Sequence, residues 1–234
     1  MRAAVTSLLG SGITMALLLI ATGRAPADSV VLSEHPLFER PLASCASPGA
    51  DNGAFRLLGP RLPGGGAAYR INQKTFPQYL AASEIQAGID SSFAAWDNAT
   101  SVALFTKLGT TDARPGFKDG VNTVGFGSVK NGVVAVASMW SNKSGAMIEF
   151  DVTLSTRLAW ATNPAGGGDC QGLPAAFDIQ NIVTHEAGHV AGLADVYKAG
   201  DNAQSMFGYA APGELFKRTL ASGDQAGLAS VYGP

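Results

Sequence analysis

Two histidines, His185 and His189, lie four residues apart in the run HEAGHVAGLAD that ends at Asp195. On a helix this spacing puts both imidazoles on one face, where they can take two corners of a tetrahedral metal site. Glu186 points about a quarter turn from His185. It is badly placed as a third ligand but able to reach a water on the metal, which is where a general base must stand. Gly192 follows His189 by three residues, where a helix that must stop and reverse uses a residue free to enter the left-handed conformation. The turn then brings Asp195 back toward the metal. Two imidazoles and one carboxylate with an open fourth position describe a hydrolytic zinc site, because a structural site closes that position with a fourth side chain.

H-E-x-x-H by itself also occurs by chance in buried helices, so the glycine and the aspartate at their offsets carry much of the weight. The chain holds three histidines, and two of them fall in this one helical turn. The third, His35, reads as a solvated residue of an N-terminal extension.

The elements that must position this segment follow from composition and pattern. The chain has 234 residues, 46% of them hydrophobic and 15% charged, with 16 Lys+Arg against 18 Asp+Glu and a formal charge of -2. These figures suit one globular domain with appendages and exclude disorder, coiled coil and collagen. Without a basic run, nucleic acid is not an expected partner. Residues 1–27 read as a secretory signal peptide: Arg2, an apolar stretch from Met15 to Ala21, and the small residues of Ala25-Pro26-Ala27. The apolar run is too short to span a bilayer. Cys45 and Cys170 are the two cysteines, and an even count in an exported chain reads as one disulfide.

Residues 28–65 are rich in Pro, Gly, Ser and Ala and read as an extension or short propeptide leading into a domain at 66–234. That domain opens with a strand at Ala67 to Ile71. A helix carrying Ile85, Ile89, Phe93 and Trp96 on one face follows, with Ser83 and Gln86 as its capping box. Strands are expected at Ser101 to Thr106, Asn122 to Ser128, Gly132 to Met139 and Ala146 to Leu154. The motif helix has Ile179, Ile182, Val183, Ala187 and Val190 facing inward, and a last helix runs from about Gly223 to Tyr232, with Ser222 and Gln225 as its box. The order indicates an α+β fold, a mixed sheet covered by helices.

The segment H-E-x-x-H-x-x-G-x-x-D resembles the zinc signature of the metzincin metalloproteases, in the matrixin-like variant with Asp as third ligand found in snapalysin-like bacterial enzymes. Ser205-Met206-Phe207-Gly208-Tyr209 resembles the Met-turn, and the similarity extends over residues 66 to 234. The resemblance implies a zincin-like catalytic domain, with a twisted five-stranded mixed sheet, an active-site helix and a C-terminal helix. It implies that His185, His189 and Asp195 bind one catalytic zinc, that Glu186 is the base, and that Met206 forms a hydrophobic floor under the metal without ligating it. Tyr209 reads as a wall of the specificity pocket or as core. The strand from Gly132 to Met139 corresponds to the cleft edge, with Ala135 and Ala137 small enough for a substrate to add as a further strand. Calcium is compatible with Asp and backbone oxygens, but no ligands follow from the sequence. Many members carry a propeptide cysteine on the zinc; the residues around Cys45, Ala43-Ser44-Cys45-Ala46-Ser47, do not match that motif, and a Cys45–Cys170 disulfide is the preferred reading.

The expected activity is therefore that of a secreted, monomeric zinc endopeptidase acting on proteins or peptides. The alternative is a secreted interaction protein of the same fold that binds zinc without turnover, against which Glu186 argues. A cysteine-dependent hydrolase built on Cys170 lacks an activating partner nearby in the sequence.

Overall fold

A computed structural model describes residues 29–40, 45–64, 66–164 and 167–233 of the chain. Residues 1–27, which the sequence reading takes as a signal peptide, lie outside the described residues. Among the described residues, eleven strands and three α-helices follow one another: β1 Val31–Glu39, β2 Arg56–Leu57, β3 Ala67–Ile71, α1 Ala82–Asp97, β4 Phe105–Thr110, β5 Thr123–Gly127, β6 Val133–Ser141, β7 Met147–Ser155, β8 Trp160–Ala161, β9 Phe177–Asp178, α2 Ile179–Val190, β10 Leu193–Ala194, β11 Tyr209–Ala210 and α3 Ser222–Tyr232. No helix among the described residues is long and apolar enough to cross a membrane.

The main sheet has the order β11-β1-β6-β7-β5-β3-β4. Its body is the expected mixed five-stranded sheet: β3 pairs parallel with β4 and β5, β5 parallel with β7, and β7 antiparallel with β6. Two further strands extend it to seven. β1, from the segment expected as a patternless extension, pairs antiparallel with β6, and β11 pairs parallel with β1. The extension showed no clear period because β1 gains its partners only in the fold, on both of its edges.

The apolar positions of α1, Ile85, Ile89, Phe93 and Trp96, are all buried, as their spacing predicts, and they pack in one cluster with Ile179, Ile182, Val183, Ala187 and Val190 of α2. Each buried Ile, Val and Phe of this set contributes roughly 1.5–3 kcal/mol of burial. The indole Nε1 of Trp96 donates to the Thr184 carbonyl at 2.8 Å, so the largest core side chain also fixes α1 against the motif helix. The segment before β3 is packed as well. β2 pairs with β10 just after the motif helix, Leu62 is buried, and Cys45 is joined to Cys170 by a disulfide.

Three local expectations differ. The first helix begins at Ala82 with Ala81 as its N-cap and no side-chain cap, so Ser83 and Gln86 form no box. The first strand after it starts at Phe105 because Asp97 Oδ1 accepts the Leu104 and Phe105 N–H groups at 2.7 and 3.1 Å, holding that stretch to the end of α1. The last helix begins at Ser222, and the Ala221 N–H donates to Asp224 Oδ2 at 2.9 Å; Ser222 and Gln225 do not cap it.

Candidate active site

Helix α2 starts on a firm cap. Asp178 Oδ1 accepts the Asn181 N–H at 2.8 Å, and the Arg218 guanidinium grips the same carboxylate through Nε and Nη2 at 2.7 and 2.6 Å. The capping carboxylate also complements the positive end of the helix. Two turns on, His185, Glu186 and His189 are completely buried. The helix ends at Val190, Gly192 takes φ +101°, and β10 carries the chain back. Gly192 thus plays the part expected of it, since a side chain there would be strained.

The reversal delivers Asp195. Its Oδ1 lies 3.2 Å from His185 Nε2 and 3.6 Å from His189 Nε2. A tetrahedral zinc holds its ligand atoms roughly 3.3 Å from one another, so this spacing suits that ion. The far side of each imidazole is already engaged: His185 Nδ1 is 2.6 Å from the Ser205 carbonyl and His189 Nδ1 is 2.9 Å from the Leu193 carbonyl. A carbonyl only accepts, so both Nδ1 atoms carry hydrogen and both Nε2 lone pairs face Asp195. His185 Nε2, His189 Nε2 and Asp195 Oδ1 are buried and have no hydrogen-bond partner among the described residues. Buried polar atoms are otherwise almost always paired, so three that converge on one point fit a cation between them.

Both carboxylate oxygens of Glu186 are likewise buried, with the Ala137 backbone N–H set against the carboxylate. Burial, and after it the charge of Asp195, pushes Glu186 well above the usual carboxylate range. Burial holds His189 down to about 3. For Asp195 burial works in the raising direction, but the His189 and His185 rings and the Tyr197 hydroxyl outweigh it and hold the group at about 2.

Met206 is buried beneath α2 at Gly188. A Cβ on Gly188 would stand 2.2 Å from Met206 Sδ and 2.5 Å from the Trp96 ring, so the absence of a side chain there lets both press against the helix. Ala135 and Ala137 are completely buried on β6, opposite Leu37 and His35 of β1. Tyr209 is on β11, half-buried, with its ring 5.6 Å from that of Tyr197 and 5.7 Å from that of Phe207, and its backbone pairs with Phe38.

Three residues of the centre escaped the sequence reading. Tyr197 donates to Asp195 Oδ2 at 3.0 Å, and Gly208 makes room for its ring, because a Cβ there would lie 2.3 Å from it. Asp224 of α3 accepts the Ser205 and Met206 N–H groups at 2.7 and 3.1 Å and so holds the turn that carries the Ser205 carbonyl. His35 is the third, and its reading as a solvated residue is corrected. Its ring centroid is 4.9 Å from that of His189 and its Nε2 is buried without a partner. Ligand atoms of His35, His189 and Asp195 all lie within 4.8 Å of one another. No local pattern marks His35 or Tyr197, because each reaches the centre only through strand pairing or chain reversal. Asp224 alone left a trace, as an acidic residue at the third position of its helix.

No curated protein matches the chain. A protein-family model does: Peptidase_M10, described as Matrixin, matches residues 65–233, which span the five-stranded body, the motif helix, the Met206 turn and the C-terminal helix. On that match the chain belongs to the matrixin family of metalloproteases.

Proposed function

We propose that the protein is a secreted zinc endopeptidase in which His185, His189 and Asp195 hold the metal and Glu186 is the general base. The observation that carries the reading is the convergence of His185 Nε2, His189 Nε2 and Asp195 Oδ1, all buried and unpartnered, at zinc-like spacing beside Glu186. A zinc ion held by these three residues would supply Lewis acidity toward a substrate carbonyl and lower the pKa of a water molecule. Glu186, whose buried carboxylate stands beside that position, would take a proton from the attacking water and pass it to the departing amine. The Ser205 and Leu193 carbonyls keep the imidazoles in the tautomer that presents Nε2. Met206 supports α2 from below and donates nothing to the reaction. Asp195 contributes an anionic ligand, which leaves the metal a weaker acid than three imidazoles would.

Export through a signal peptide at 1–27, an extension at 28–65 and a catalytic domain at 66–234 complete the reading; the Cys45–Cys170 disulfide and the family support it. Metal analysis of the purified chain with a peptide-library cleavage profile tests it. One zinc per chain is expected in the wild type. Glu186→Ala is expected to keep that zinc and lose peptide cleavage. A chain that binds no zinc, or full cleavage by Glu186→Ala, overturns it.

A further inference from the structure

We propose that His35 is a fourth ligand of the same metal and that β1 is an internal inhibitor lying where a peptide substrate would add. The inference rests on the zinc assignment above.

Strand β1 takes the free edge of β6 antiparallel over its whole length, Val31 opposite Ser141 through Phe38 opposite Val133. Its other edge is closed by β11, with Phe38 beside Tyr209 and Glu39 beside Ala210. An extended peptide docking on β6 needs those same backbone donors and acceptors, so β1 and a substrate exclude each other. Side chains alternate along a strand, which puts His35 and Leu37 on one face and Glu34, Pro36 and Phe38 on the other. His35 and Leu37 face the core. Leu37 is completely buried in the apolar cluster that includes Ala135, Val183 and Ala187. The side chains directly across from the pair are Ala137 and Ala135, which leave space for an imidazole and an isobutyl group.

His35 Nε2 is then a further buried, unpartnered donor, and His35 has a ligand atom within 4.8 Å of those of His189 and Asp195. Four protein ligands close a zinc site and leave no position for the attacking water. Inhibition by a cysteine is not available to Cys45, whose sulfur is bonded to Cys170. With β1 in place the chain is accordingly latent, and peptide cleavage is carried by the fraction of chains in which β1 has left, which frees the β6 edge and opens the fourth metal position.

The test uses the full chain with isotopically labelled histidine, loaded with cadmium, and reads the scalar coupling between the bound metal nucleus and each imidazole nitrogen. Three coupled imidazoles are expected in the wild type and two in His35→Ala. His35→Ala is also expected to bind the metal more weakly in chelator competition, and to take up acetohydroxamate that the wild type excludes. One bound cadmium with two coupled imidazoles in the wild type overturns the proposal and leaves the zinc assignment standing, whereas a chain that binds no cadmium overturns both. The wild-type coupling pattern decides the matter even if the variant fails to fold.

Discussion

Tyr197 donates its hydroxyl hydrogen to Asp195 Oδ2 across 3.0 Å, which turns the other oxygen, Oδ1, toward His185 and His189. The two residues are separated by one position in the chain, yet the contact exists only because Gly208 leaves the space that the Tyr197 ring occupies. Asp195 is thereby held by a neighbour whose ring also packs against that of Tyr209.

Tyr197→Phe keeps the ring and removes the hydrogen bond. Groups that orient a ligand typically contribute 10- to 100-fold to metal affinity, so zinc binding should weaken by about tenfold or more, measured by chelator competition, with little change in thermal unfolding of the chelated protein. Unchanged affinity would remove Tyr197 from the centre.

Gly188→Ala places a methyl group where Met206 Sδ and the Trp96 ring already stand, at 2.2 and 2.5 Å. Overpacking of this kind costs about 1–3 kcal/mol and shifts the backbone that carries His185 and His189. A drop in denaturation midpoint accompanied by weaker zinc binding is the expected result. A variant as stable as the wild type would mean that Met206 moves aside freely.

Asp224 accepts three backbone N–H groups, from Ser205, Met206 and Ala221. Asp224→Ala leaves the buried donors unpaired, at about 1–3 kcal/mol for each one that water cannot reach. Because the Ser205 carbonyl orients His185, zinc affinity should fall together with stability, as followed by denaturant titration with and without metal. Asp224→Asn, which retains an acceptor oxygen, should lie between the two.

Asp51 ties the segment before β3 to α3. It accepts the Gly53 and Ser222 N–H groups at 2.9 and 2.7 Å and the Gln204 amide at 2.7 Å, and these bonds hold its carboxyl well below the ordinary range. A depressed carboxyl adds stability above its ordinary value of 3.8 and loses it as pH falls through the lower folded value. Asp51→Asn should therefore be less stable than the wild type near neutral pH, with the gap narrowing as pH drops below about 4. Thermal unfolding of both proteins across that range, with chelator present throughout, checks the sign. A gap that widens in acid would contradict the assignment.

The motif helix was legible because its information is local: the i, i+4 spacing of His185 and His189 and the apolar positions from Ile179 to Val190 are properties of one helix. The five strands of the sheet body were legible from their apolar runs, but their limits were less so. Phe105 begins β4 only because Asp97 reaches across a turn to occupy the preceding N–H groups.

By itself the sequence determined which residues could form a hydrolytic metal centre and the helix that carries two of them, since residue type, spacing and a glycine that permits reversal are written in order along one stretch of chain. Tertiary structure alone decided what surrounds that centre. Asp224 reaches the Met206 turn from a separate helix, Tyr197 finds Asp195 through the gap at Gly208, and His35 arrives from about 150 residues upstream by adding β1 to the sheet. Those contacts follow from strand pairing and close packing between distant segments, and such long-range pairing leaves no period or motif in any one of them.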